Sequence, residues 1–185
     1  MISRIPLVKY EQLSPAGQDI YASILSTRGS LEGPFLAWLH SPGLAAPAEK
    51  LGAFCRYNTS LKTVESELLI LLVAAHFRCC GEWQIHATIA SGAGLDSASI
   101  DAILSGLAPT LPSPRLSVLH ALCTELLRHN GISQTTFAHA RDMFGDQALV
   151  EIVGVIGYYG FVAMTLNAFE IRFADRGDPF ESPTR

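Results

Sequence analysis

Between Glu151 and Glu170 the chain runs through 18 residues without a charge, IVGVIGYYGFVAMTLNAF. A stretch this apolar either crosses a bilayer or forms the middle of a protein. Eighteen residues stand at the lower edge of a membrane span, no basic cluster flanks them, and Tyr158, Tyr159 and Asn167 interrupt them. The stretch therefore reads as a buried helix of an all-α protein, with no membrane partner. Gly154, Gly157 and Gly160 line one flank of it, where a neighbouring helix could come close. A second run, LLILLVAA at 68–75, is apolar on every face and predicts another helix that is central and surrounded.

Proline and glycine punctuate the rest. No proline occurs between Pro47 and Pro109 or between Pro114 and Pro179, which leaves two long stretches free to be helical. Ser-Pro at 14–15, 41–42 and 113–114 places a serine N-cap before a proline in a first helical turn. Glycines at 29, 94, 106, 131 and 145 fall where periodic segments stop. The pattern predicts helices near 14–28, 42–58, 63–77, 81–93, 97–105, 114–129, 134–143 and 146–172, with a short turn at 34–39. No run alternates apolar and polar residues as a half-buried strand does. The expectation is a single all-α domain over 1–185, with an N-terminal extension at 1–60 and a polar tail at 174–185 that is frayed or draped on a partner.

Composition narrows the class of function. Nearly half the residues are apolar and 16% are charged, which excludes a disordered chain. A net charge of -4 and the lack of a basic stripe argue against nucleic acid as a partner. The N-terminal MISRIPLVKYEQLSP has no apolar core of signal-peptide length, so the expected location is the cytoplasm. Cys55, Cys79, Cys80 and Cys123 then belong to a reducing compartment, and they form no paired Cys-x-x-Cys zinc pattern.

The chemistry concentrates in RCCGEWQIH at 78–86. Cys79, Glu82 and His86 are spaced i, i+3, i+7 and share one helix face, with Trp83 beside them. A glutamate four residues before a histidine can fix the imidazole tautomer and raise its basicity, as a general acid/base requires. The same spacing also describes an ordinary polar pair on a solvated face. Glu67 enters the apolar helix at its positive end, where a carboxylate is either favoured by the dipole or held for function.

The segment ESELLILLVAAHFRCCGEWQIHATIASGAGLDSASIDAI (65–103) resembles the carboxymuconolactone decarboxylase family, which includes the alkylhydroperoxidase D-type proteins. Redox members carry Glu, eleven residues, then Cys-x-x-Cys-x-x-x-His. Glu67, Cys79 and His86 match three of these positions, and Glu82 stands where the second cysteine belongs. The EWxxH form, with SPAGQDIY, RGSLEGPFLAWLHSPGLA and GYYGFVAMTLNAF elsewhere, resembles the non-peroxidase branch. The resemblance implies an all-α bundle of the alkylhydroperoxidase D-like type, assembled as a homotrimer or homohexamer. It implies cofactor-independent decarboxylation or thiol-dependent peroxide reduction. Without a cysteine at 82 the standard thiol pair is missing, and a disulfide between Cys79 and Cys80 would strain the peptide between them.

The leading expectation is a cofactor-free lyase or isomerase acting on a small carboxylated or carbonyl compound. His86 is its acid/base, Glu82 the partner that orients His86, and Glu67 a second carboxylate. Candidate substrate contacts are Trp83, His40, Cys79, Tyr158, Tyr159, Asn167 and Arg28. His40, Arg28 and Asn167 each also have an ordinary structural role open to them, in capping, at a helix end or between helices. Glu67, Glu82 and His86, with His40, could hold a metal, but no His-x-x-x-His or Glu-x-x-His module supports that. A thiol peroxidase centred on Cys79 and a non-catalytic small-molecule binder are the rival readings.

Overall fold

The apolar run at 68–75 belongs to helix α4 (Thr63–His76), in which Leu68, Leu69, Ile70, Leu71, Val73 and Ala74 are all buried. The computed structural model describes residues 1–181. Its other helices are α1 (Pro15–Arg28), α2 (Phe35–Trp38), α3 (Pro42–Tyr57), α5 (Cys80–Gly92), α6 (Ser97–Leu104), α7 (Pro114–His129) and α8 (Gln134–Phe169). α4 is packed by α5, α6, α7 and α8, while α1 and α2 pack on α3, which in turn reaches α8. Among the described residues the only extended pairing is one bridge between Ile2 and Arg172. The fold is an all-α bundle.

Local chemistry sets the boundaries. Ser14 and Ser113 accept hydrogen bonds from the Gly17 and Leu116 amides, each 3.3 Å away, as their Ser-Pro contexts predict. Ser41 makes no such bond: its ψ of 84° lies outside the extended geometry of Ser14 and Ser113, at 161° and 149°. α4 is tied to α7 at its start: the Glu65 carboxylate accepts from Arg115 Nε at 2.6 Å and from the Lys62 amide at 2.9 Å. The expected helices at 134–143 and 146–172 are the two halves of α8, which ends at Phe169 and is broken between them at Gly145. Its φ of 77° and ψ of 170° lie in a region essentially reserved for glycine.

Two expectations need correction. Gly154 and Gly157 do not receive a neighbouring helix within the chain; both are exposed with nothing near, and only Gly160 is packed, against Phe77. The tail is not frayed over residues 174–181, although 182–185 lie outside the described residues. The Gln84 side-chain amide donates to the Phe173, Arg176 and Gly177 carbonyls and accepts from the Phe173 amide. Arg78 donates to the Phe180 carbonyl, and the Phe180 ring meets Trp83 edge-on at 5.6 Å. One amide side chain that satisfies several backbone groups, and one buried aromatic, anchor a segment whose composition suggested none.

α8 is long and apolar enough to cross a membrane, yet most of its apolar window is buried in the bundle. It serves as core.

Candidate active site

A three-residue link joins α4 to α5. Arg78 takes a left-handed backbone (φ 48°), and the Cys79 amide bonds back to the Ala74 carbonyl. So short a connection forces the two helices to lie side by side. At 1.5 Å per residue, Glu67 lies roughly 14 Å back from the end of α4 and His86 roughly 9 Å into α5. The pairing brings them together: His86 Nδ1 is 2.7 Å from Glu67 Oε2. The carboxylate oxygen accepts, so Nδ1 carries the proton and Nε2 faces the other way. There Glu82 Oε2 lies 3.4 Å off, poorly aligned for a hydrogen bond. The three residues are only 2–3% exposed.

The closer contact to the imidazole is made by the other glutamate than helix spacing suggests. Glu67 on the neighbouring helix orients the imidazole, while Glu82, four residues away on the same helix, is the loosely held partner on the opposite edge. Burial holds the Glu82 carboxyl above its ordinary value of 4.5. His86, Arg56 and Arg28 pull it down and Glu67 pushes it further up. The string Glu67–His86–Glu82 sets one imidazole between two buried carboxyl groups, a geometry suited to acid/base chemistry.

Beside them is a cavity of about 230 Å³, lined by Glu82, His86, Tyr158, Tyr159, Arg28 and Arg56, with Phe35, Ile85 and Val162 as apolar wall. The Tyr159 ring stands edge-on to His86 at 5.4 Å, and Tyr158 meets Tyr159 at the same distance. Burial raises both phenols, so they stay protonated. Arg28 from the end of α1, Phe35 from α2 and Arg56 from α3 make the outer wall, so the N-terminal segment closes the cavity. Arg56 was not foreseen. Its signal in the sequence was its position four residues after Gly52, on one face of α3. A larger cavity of about 460 Å³ lies elsewhere, lined by residues including His76, His120 and Phe180, without Glu67, Glu82 or His86. The smaller one carries the titratable string and is the candidate site.

Four expected substrate contacts lie away from this cavity. His40 is exposed, and its Nε2 donates to the Pro6 carbonyl at 2.6 Å. Asn167 donates to the Phe77 carbonyl at 2.8 Å, satisfying a helix-end group of α4. Trp83 packs on Phe180. Cys79 is fully buried as the N-cap residue of α5. Arg28, Tyr158 and Tyr159 do line the cavity. Burial, with Glu82 nearby, pushes the Cys79 thiol up to about 12, and all four cysteines are free and buried. Among the described residues no group of three His, Cys, Asp or Glu side chains is arranged to hold a metal ion.

Neither a protein-family model nor a curated protein sequence matches the chain. Solved structures do. An uncharacterized peroxidase-related protein with an alkylhydroperoxidase AhpD core, from Ralstonia eutropha JMP134, superposes with a TM-score of 0.79. The two share 17% identity over 97% of this chain and 95% of that one. An uncharacterized peroxidase-related protein from Silicibacter sp. TM1040 gives 0.74 at 14% identity, covering 91% and 90%. A cysteine-to-alanine variant of the debrominase Bmp8, in complex with 2,3,4-tribromopyrrole, gives 0.73 at 14% identity, covering 95% and 92%. At such identities the likeness is one of fold, and the fold is the alkylhydroperoxidase D-like all-α bundle expected from residues 65–103.

Proposed function

We propose that the chain is a cofactor-independent enzyme that moves a proton on a small carboxylated or carbonyl compound, as a decarboxylase or an isomerase. The observation that carries this reading is the buried string Glu67–His86–Glu82 opening on a cavity of small-molecule size. In decarboxylation the bond to the carboxyl carbon breaks and carbon dioxide leaves. A carbonyl or lactone accepts the electron pair, and His86, or Glu82 through His86, then donates a proton to carbon; solvent restores it. Glu67 does not touch the substrate. It keeps Nδ1 protonated and the ring aimed at the cavity, as the carboxylate of a catalytic triad does.

The fold's peroxidase-related neighbours make thiol chemistry the competing reading. Against it stand Glu82 in place of a second cysteine, the burial of Cys79 away from the cavity, and a thiol held far above neutrality. The debrominase with its tribromopyrrole is a precedent for a small planar ring held in this fold. Turnover of a panel of lactones and keto acids is the test, comparing wild type with His86→Ala. The variant should lose turnover while keeping its circular dichroism and its sedimentation. An active His86→Ala protein overturns the assignment.

A further inference from the structure

Two buried side-chain polar atoms lack a hydrogen-bond partner among the described residues, Arg28 Nε and Glu82 Oε2. Both belong to residues that line the 230 Å³ cavity. Buried polar groups in native proteins are almost always paired, so two orphans on one cavity call for a common explanation. They are also complementary: a guanidinium only donates, and a carboxyl oxygen left without a partner is open to accept.

Arg28 is fixed in place. Its guanidinium lies over the Phe35 ring at 4.6 Å and reaches toward Tyr57 at 5.8 Å, with Nη2 3.5 Å from the Glu49 carbonyl. α3 makes room for it at Gly52, where a Cβ would collide with the Tyr158 hydroxyl and come 2.7 Å from Arg28 Nη2. Arg56 adds a second cation to the wall. Neither arginine forms an ion pair among the described residues, although four other arginines do. Glu32 is the one other carboxylate on the lining, and it is exposed.

We infer that the cavity selects a small anion that also carries an O–H or N–H, its anionic group on Arg28 and Arg56 and its O–H or N–H donated to Glu82. This rests on the reading of the cavity as a substrate site and narrows the substrate class. An anion without a donor leaves Glu82 unpartnered, and a neutral donor leaves the arginines so. A cavity of 230 Å³ is below the range of drug-sized pockets, so the ligand has about ten non-hydrogen atoms. Hydroxy acids, enolised keto acids and phenolic acids fit this description; a carboxylated lactone with no hydroxyl does not.

Calorimetric titration of the full chain at neutral pH tests it with matched probes: 3- and 4-hydroxybenzoate against benzoate and 4-methoxybenzoate. At least one hydroxybenzoate should bind tenfold or more tighter than both probes that lack a donor. Arg28→Gln and Arg56→Gln should each weaken every carboxylate about tenfold. Glu82→Leu should erase the advantage of the hydroxyl and leave benzoate affinity in place. Equal binding of hydroxylated and donor-free probes to wild type overturns the inference, and so does failure of every probe to bind. The function proposed above fails separately: turnover in His86→Ala would sink that reading, while the binding pattern is read in the wild-type chain with no turnover involved.

Discussion

Glu67 Oε2 and His86 Nδ1 are 2.7 Å apart although 19 positions separate the two residues. The contact exists because α4 and α5 form a tight helical pair, and it is sealed from water on both sides. It fixes which imidazole nitrogen is free to act.

Glu67→Gln keeps the shape and removes the ionised acceptor. We expect kcat/KM to fall by about a hundred- to ten-thousand-fold, as when the carboxylate of a triad is neutralised. Nitrogen NMR of the imidazole supplies a readout that mere structural damage does not move. Wild-type His86 should show a protonated Nδ1, and the variant should lose that preference. Glu67→Ala, which leaves the ring without its charged partner, should cost about 1.5–3 kcal/mol of stability by chemical denaturation.

Glu82 predicts a pH dependence of stability. Its carboxyl is raised above 4.5 in the folded protein, chiefly by burial. Between the unfolded value and the raised folded one, the native state binds the extra proton, so stability falls as pH rises through that window. The contribution is fully present below about pH 4.5 and is lost above the folded value. Glu82→Gln cannot lose a proton and should flatten the profile, melting above wild type at the alkaline end. Thermal melts from pH 5 to 9 check this; a wild-type profile no steeper than the variant's would place Glu82 in an ordinary solvated environment.

Much of the bundle was legible because proline, glycine and Ser-Pro act locally: they mark helix ends whatever the tertiary structure. The site was legible in part. Glu67, Glu82 and His86 come together, but their roles could not be read from spacing. The i,i+4 rule favours Glu82 as the partner of His86, and only the angle between α4 and α5 gives that place to Glu67. Arg56 is one arginine among several until α3 packs beside α1. The tail was misread for a similar reason. Its polarity is real, but Gln84 supplies hydrogen bonds from a helix some 90 residues away, a pairing that no local pattern encodes.

The cysteines should be inert. Burial raises Cys55 and Cys80 to about 11 and Cys79 and Cys123 to about 12. At neutral pH the nucleophilic thiolate is scarce and shielded. Native protein should react slowly with an aromatic disulfide reagent and show four thiols only on unfolding. Exposure to peroxide, followed by denaturation, should still yield four. A loss of two thiols in step, with reductant-dependent peroxide turnover, would restore the peroxidase reading.

The outer face of α8 predicts self-association. Val150 is 73% exposed, Val153 49% and Met164 54%, and the exposed Gly154 and Gly157 lie on the same stripe with open space above them. Single exposed apolar residues are common, but a run at helical spacing, with glycines that permit close backbone approach, is built for another surface. A second copy of the chain is the occupant we propose, because a closed symmetric assembly buries such a stripe against its own kind. Val153→Arg sets a charge in the middle of the stripe and changes nothing in the cavity, which lies against the opposite side of α8 at Tyr158, Tyr159 and Val162. Wild type should sediment at three or six times the 20.0 kDa chain mass. The variant should run as a folded monomer with unchanged circular dichroism. If wild type is itself monomeric at micromolar concentration, the stripe has some other use and the cavity is complete within one chain.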